Sequence, residues 1–231
     1  KIYDELEKTY GINEQITLNK VKLLKEQKKI KNMEAELLRL LESNKSETRY
    51  YSYLADFYIE NHELEKAKTM YDQILTIEPN NPTVNLALHD YYSAQGKNKE
   101  AFYFLRKAFE NPDLDVATKY SIVNTFYKRA LEYNDAKSQE NGFELAKIML
   151  LVHSKAPETN IVYADFLSLD KNYKEAVNYY YLAAVGNKSD YITWSKLLVL
   201  DYELLQFDSL EQHSAMAIEF FPSQPTNYLY N

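Results

Sequence analysis

The chain of 231 residues contains no cysteine. That absence excludes a disulfide framework, a thiolate metal site and a cysteine nucleophile together, and it fits oxidising and reducing compartments equally. Glycine and proline are scarce, at four and six copies, too few for the tight turns of a β-sandwich or barrel. No run of 18 apolar residues occurs, so no segment reads as membrane-spanning. No signal peptide is visible, although a chain that opens on Lys1 instead of Met reads as processed or trimmed. Cations are also in the minority: 27 Lys and Arg face 34 Asp and Glu, and the net charge of −7 argues against a general nucleic-acid binder.

What is present points to helices. Apolar residues make up 45% of the chain, enough for a continuous core and too much for a disordered one. Ala, Leu, Glu and Lys recur at regular spacing, and all four are good helix formers. Tyrosine is abundant, with 22 copies against one Trp; its apolar ring and polar tip suit half-buried seams. Charge is uneven. Lys20 to Lys31 holds six Lys against one Glu, while the last forty or so residues are acidic. The Lys run reads as a solvated helix face and loop, with a phosphate- or lipid-binding patch as the alternative.

Self-comparison gives a period of 34 in several registers at once. Leu54, Leu88 and Ile122 follow it, as do Tyr58, Tyr92 and Phe126. Ala67 with Ala101, Tyr71 with Leu105 and Ala183 with Ala217 repeat it. Within one period, Tyr51, Leu54, Ala55 and Tyr58 mark one face of a first helix. A turn at Glu60 to Glu63 follows, then Leu64, Ala67, Tyr71, Ile74 and Leu75 on a second helix, and Pro79 closes the unit. In these residues the chain resembles the tetratricopeptide repeat family. Pro82 to Asp115 matches with Leu88, Tyr92, Gly96, Ala101 and Ala108. Pro157 to Asp190 matches with Ala164, Tyr173, Ala176, Tyr180 and Ala183, and Tyr191 to Pro222 with Trp194, Leu197, Phe207, Ala217 and Pro222.

The resemblance implies an all-α, right-handed superhelix of antiparallel helix pairs, an α-α solenoid. Residues 1–231 then form a single array with repeats at 48–81, 82–115, 116–156, 157–190 and 191–222. Residues 14–47 read as a degenerate first unit, with Ile30, Met33, Leu37, Leu40 and Leu41 on its second helix. Residues 223–231 read as the opening of a sixth, so continuation beyond Asn231 is expected. The 41-residue unit 116–156 is seven residues longer than its neighbours. The excess reads as a longer inter-helix loop near Tyr133 to Gly142, before a second helix from Phe143 to Ser154.

Catalytic patterns are missing: no HExxH helix, no Gly-rich phosphate loop and no GxSxG elbow. His62, His89, His153 and His213 lie far apart and read as surface or seam histidines. Neither a metal nor a cofactor is expected, and the chain reads as no enzyme. A polar ladder is the more informative pattern. Asp56, Asp90 and Asn124 keep the 34-residue step, and Asp165 follows after 41, the length of the longer unit. Asp is a poor mid-helix residue, so its recurrence calls for a reason. In the resembled family this face of the first helix lines a concave peptide groove. The resemblance thus implies a Tyr-rich, acidic groove that takes in Ser52, Asp56, Asp90, Tyr120, Asn124, Asp165 and Tyr202. The alternative is that each Asp bonds a neighbouring Tyr hydroxyl and stiffens the stack. The Lys, Asn and Arg clamp that some members use for chaperone tails is absent, with Ser52, Asp56, Ala87 and Asp90 in that neighbourhood. The expected partner is another protein or peptide with a cationic or neutral Tyr-contacting segment, and not nucleic acid. The expected role is a scaffold or adaptor, with the recognition arm of a larger enzyme and a plain spacer as rivals. An array without cysteine fits a bacterial envelope protein, with a cytoplasmic one as the alternative.

Overall fold

A computed structural model describes residues 2–230, and every element among them is helical. The chain divides by contact into two compact units, Lys1–Ala108 and Phe109–Asn231. Unit 1 contains α1 (Ile2–Tyr10), α2 (Glu14–Glu26), α3 (Ile30–Ser43), α4 (Thr48–Glu60), α5 (Leu64–Ile77), α6 (Pro82–Ala94) and most of α7 (Asn98–Glu110). Unit 2 contains α8 (Val116–Tyr133), α9 (Ala136–Val152), α10 (Pro157–Leu169), α11 (Tyr173–Gly186), α12 (Tyr191–Glu203), α13 (Phe207–Phe220) and α14 (Pro225–Leu229). Within each unit successive helices pack as antiparallel pairs, and each pair rests on the next. This is how an array of helical repeats builds a core from neighbour contacts alone.

Local chemistry sets the boundaries. Asn81 caps α6 by accepting from Val84 N–H, and Pro82 at the first helical position needs no partner for an N–H. Asp115, Asp135 and Asp190 cap α8, α9 and α12 in the same way. The hairpin turns share one backbone device. Lys28, His62 and Gly96 all have positive φ, at 56°, 61° and 70°, and stand 34 residues apart. Lys171 and Leu205 repeat it in unit 2 at 59° and 55°, again 34 apart. Only one of the five is the glycine that this conformation favours.

The repeat registers become the core. In unit 1, Met33, Leu37, Leu41, Leu54, Tyr58, Ala67, Ile74 and Leu88 form one buried cluster. In unit 2, Ala164, Leu167, Ala176, Tyr180, Trp194, Leu197 and Ala217 form another. Ile30, expected on the same face as Met33 and Leu37, is 50% exposed. In α8 the register moves by one residue, so that Val123 is buried where Ile122 is expected and Ile122 is only half-buried.

The long unit corrects the sequence reading. Its extra residues do not form a loop. They lengthen both helices, to 18 residues in α8 and 17 in α9, and α9 begins at Ala136 instead of Phe143. Only Asn134 and Asp135 connect them, with Asn134 left-handed at φ 51°. Gly142 is therefore not a turn residue. A Cβ there would lie 2.3 Å from Phe166 Cζ and 2.8 Å from Phe126 Cβ. The glycine lets α9 press against the aromatic side chains of α8 and α10.

Candidate functional site

In unit 1 the ladder positions face water. Asp56 on α4 and Asp90 on α6 are exposed, and neither makes a hydrogen bond or ion pair among the described residues. Asp56 is nevertheless crowded. Partial burial, and then the Glu60 charge one turn on, hold its carboxyl above the usual range. Tyr71 on α5 is half-buried, and its hydroxyl is pushed up by burial and by the charges of both Asp56 and Asp90. The two carboxylates thus act on one tyrosine. Ser52 turns inward, donating to Thr48 O at 3.4 Å, and Ala87 is half-buried on α6.

In unit 2 the equivalent position is closed. Asp165 on α10 is only 5% exposed. It accepts from Tyr180 Oη and from Lys196 Nζ, each at 2.5 Å. The Lys196 ammonium also lies 5.5 Å from the Tyr180 ring centroid and 5.9 Å from that of Tyr127, within the reach of a cation–π contact. Burial, then the Asp165 charge, raises the Tyr127 hydroxyl to about 12 and the Tyr180 hydroxyl further. Tyr120 on α8 is raised by burial and then by Asp165, Asp190 and Glu158. Asn124 is half-buried on the same helix. Asp165, Tyr180, Lys196 and Tyr127 therefore form one cluster, with Tyr120 within the field of its carboxylate. Tyr202 does not join it: its ring is 54% exposed and 5.7 Å from Tyr230.

Sequence reasoning named the aspartates, and its alternative of an Asp bonded to a neighbouring Tyr hydroxyl holds at Asp165, but it did not name Lys196. Tyr71 and Tyr180 were visible as the aromatic of the second helix, each 15 residues after its Asp. Lys196 also left a signal, as the one Lys or Arg after position 190.

Two lysines of the Lys20 to Lys31 run are occupied. Lys20 is buried, with its ammonium 2.7 Å from Glu36, 3.0 Å from Glu7 and 3.3 Å from Asp4. Burial opposes its charge, and the three carboxylates outweigh that, leaving its pKa raised. Lys25 pairs with Glu60 at 2.6 Å. The rest of the Lys run is solvated. His62 sits in its turn, and His89 Nδ1 meets Ala101 O at 3.0 Å. Among the described residues no cluster of three or more His, Asp or Glu is arranged to hold a metal, and no helix is long and apolar enough to cross a membrane.

No family model matches the sequence, and no curated protein matches it. Among solved structures it is similar to YrrB, a TPR protein with an unusual peptide-binding site, at 15% identity over 83% of this chain and 95% of that one, TM-score 0.47. A tetratricopeptide repeat protein from Parabacteroides merdae is 15% identical over 92% and 79% of the two chains, TM-score 0.43. Pseudomonas aeruginosa pilF is 19% identical over 100% and 98%, TM-score 0.42. At such identities, what those proteins bind is theirs alone. By its own period and helix pairing, the chain is an all-α array of helical hairpins that resembles the tetratricopeptide repeat fold.

Proposed function

We propose that the chain is a protein-interaction scaffold whose first-helix face in unit 1 binds a basic segment of a partner. One observation carries this reading: the chain's own Lys196 seated on Asp165 and Tyr180. In that cluster the tyrosine follows the Asp by 15 residues and the lysine by 31. Counting the same steps from Asp56 reaches Tyr71 and then Ala87. Unit 1 repeats the acid and the tyrosine and omits the cation, while Asp90 adds a second carboxylate. A lysine or arginine from outside supplies what Ala87 lacks. Exposed charge pairs are worth about 0–1 kcal/mol each, so the two carboxylates and the tyrosine act together, giving roughly tenfold selectivity for a cationic segment.

The test installs the missing cation. Ala87→Lys is expected to raise the thermal midpoint slightly and to weaken binding of a fluorescein-labelled lysine–alanine peptide about tenfold. The double variant Asp56→Asn, Asp90→Asn is expected to weaken it as much, with a shallower salt dependence. Unchanged affinity in both variants would sink the reading.

A further inference from the structure

Between α11, the turn from α12 to α13 and the first half of α13 lies a cleft of about 630 Å³, within the range of roughly 300–1,000 Å³ common to ligand sites. Val177 and Tyr181 come from α11, Leu205 from the turn, and Phe207, Asp208 and His213 from α13. Its rim is apolar and wet: Leu205 is 68% exposed and Phe207 59%. Its ionisable groups are Asp208 and His213, and Asn178, Gln206 and Ser209 add neutral donors and acceptors. His213 Nδ1 lies 2.7 Å from Oδ2 of Asp201, which is fully buried. An ionised carboxylate can only accept, so Nδ1 carries a proton, and Nε2 is the ring nitrogen left for another partner. Tyr181 stacks on that ring at 4.8 Å and holds it from the other side. Nε2 has no donor among the described residues, and the second oxygen of Asp201 is buried without one. Asp208 is exposed and makes no ion pair among the described residues. No Lys or Arg lines the cleft, and Lys196, the one Lys or Arg after position 190, is held by Asp165.

We infer that this cleft is a second docking site, independent of the first-helix ladder, for a peptide segment in which an apolar side chain adjoins an arginine or lysine. The apolar group is covered by Leu205, Phe207 and Tyr181, and the cation meets Asp208. A polar group of the segment meets His213 Nε2, whose direction Asp201 and Tyr181 fix. An anionic ligand finds no Lys or Arg here and meets the unpaired carboxylate of Asp208.

The experiment is a titration of the full ¹⁵N-labelled chain, followed by amide NMR shifts. The probes are two capped tetrapeptides, one holding leucine next to arginine and the other leucine next to glutamate. The arginine peptide is expected to shift the amides of Tyr181, Phe207, Asp208 and His213 saturably, and the glutamate peptide to bind at least about fivefold more weakly. Asp208→Asn is expected to reduce that preference by up to about fivefold, the range of an exposed charge pair. Phe207→Ser is expected to weaken both peptides. Both substitutions are at exposed positions, so unchanged shifts elsewhere report an intact fold. Asp56→Asn with Asp90→Asn is expected to leave the cleft titration as it is, which separates its failure from that of the ladder. Absent cleft shifts or equal binding of both peptides overturns the inference. So does loss of the shifts in that double variant, or cleft shifts that follow protein concentration without peptide, which would mark a second copy as the occupant.

Discussion

Lys119 occupies a slot that other repeats fill with Tyr51, Asn85 or Trp194, and it is 0% exposed. Its ammonium donates to Asn111 O at 2.8 Å and to His153 Nε2 at 2.9 Å, so it has partners but, among the described residues, no counter-ion in contact. Burial pulls its pKa down to about 8, and burial followed by the Lys119 charge lowers that of His153. The sign follows from proton counting. Between pH 8 and 10.5 the unfolded chain keeps the Lys119 proton and the folded chain has lost it, so stability rises with pH. The rise is on the order of 2–3 kcal/mol and is complete above the unfolded value. His153 acts in the same direction lower down, losing stability as pH falls through the ordinary histidine range. Urea midpoints of the parent chain are expected to climb from pH 8 to 10, and Lys119→Met to flatten that climb; parallel profiles would contradict the assignment. Asp165 makes a second case. Asp165→Ala is expected to cost about 1–3 kcal/mol, below the full cost of breaking a wholly buried pair because the Lys196 side chain is 34% exposed. Asp56→Ala, with no internal partner to lose, is expected to change the midpoint little.

At the scale of the helix, two backbone requirements decide stability without adding a contact. The left-handed turn residue strains any side chain with a Cβ, by about 1 kcal/mol. Lys171→Gly removes that strain, and the greater freedom of glycine in the unfolded chain offsets part of the gain. A net gain of about 0.5 kcal/mol is expected, read as a small rise in Tm. Gly96→Ala is expected to lose about 1 kcal/mol from φ alone, since nothing lies within 4 Å of the added Cβ. Gly142→Ala tests the opposite cause. Its backbone is ordinary helix, but the methyl meets Phe166 and Phe126, and overpacking of this kind costs about 1–3 kcal/mol. A neutral Gly142→Ala would mean that α9 can move away from those rings at no cost.

For the whole molecule, two units with separate buried clusters imply uneven protection. Leu54 and Leu197 are both 0% exposed, one in each cluster. Leu197→Ala is expected to remove about 2–5 kcal/mol from unit 2. Native-state hydrogen exchange should then show faster exchange across α10 to α12, with α4 to α6 much less affected. The terminal helix α1 buries no residue and is expected to exchange first in every variant. Equal acceleration throughout the chain would show a single cooperative unit instead.

Helix type, helix pairing and most core positions follow from the sequence alone. A 34-residue period of apolar and small residues leaves a helix pair few ways to bury its stripe. Leu54, Leu88, Ala67 and Ala101 were legible for that reason, and all are buried. The aspartate ladder was legible as a spacing, and a spacing carries no information about what a carboxylate meets. Tertiary structure decided that Asp165 is buried against Tyr180 and Lys196 while Asp56 faces water. It decided too that the polar stretch before Phe143 is helix: Asp135 caps α9 directly after Asn134, Ser138 and Gly142 are buried, and Gly142 supplies the close approach to Phe126 and Phe166. Periodicity states which face a residue occupies. The residues met across that face come from segments fifteen to thirty-one positions away, and only the folded chain brings them together.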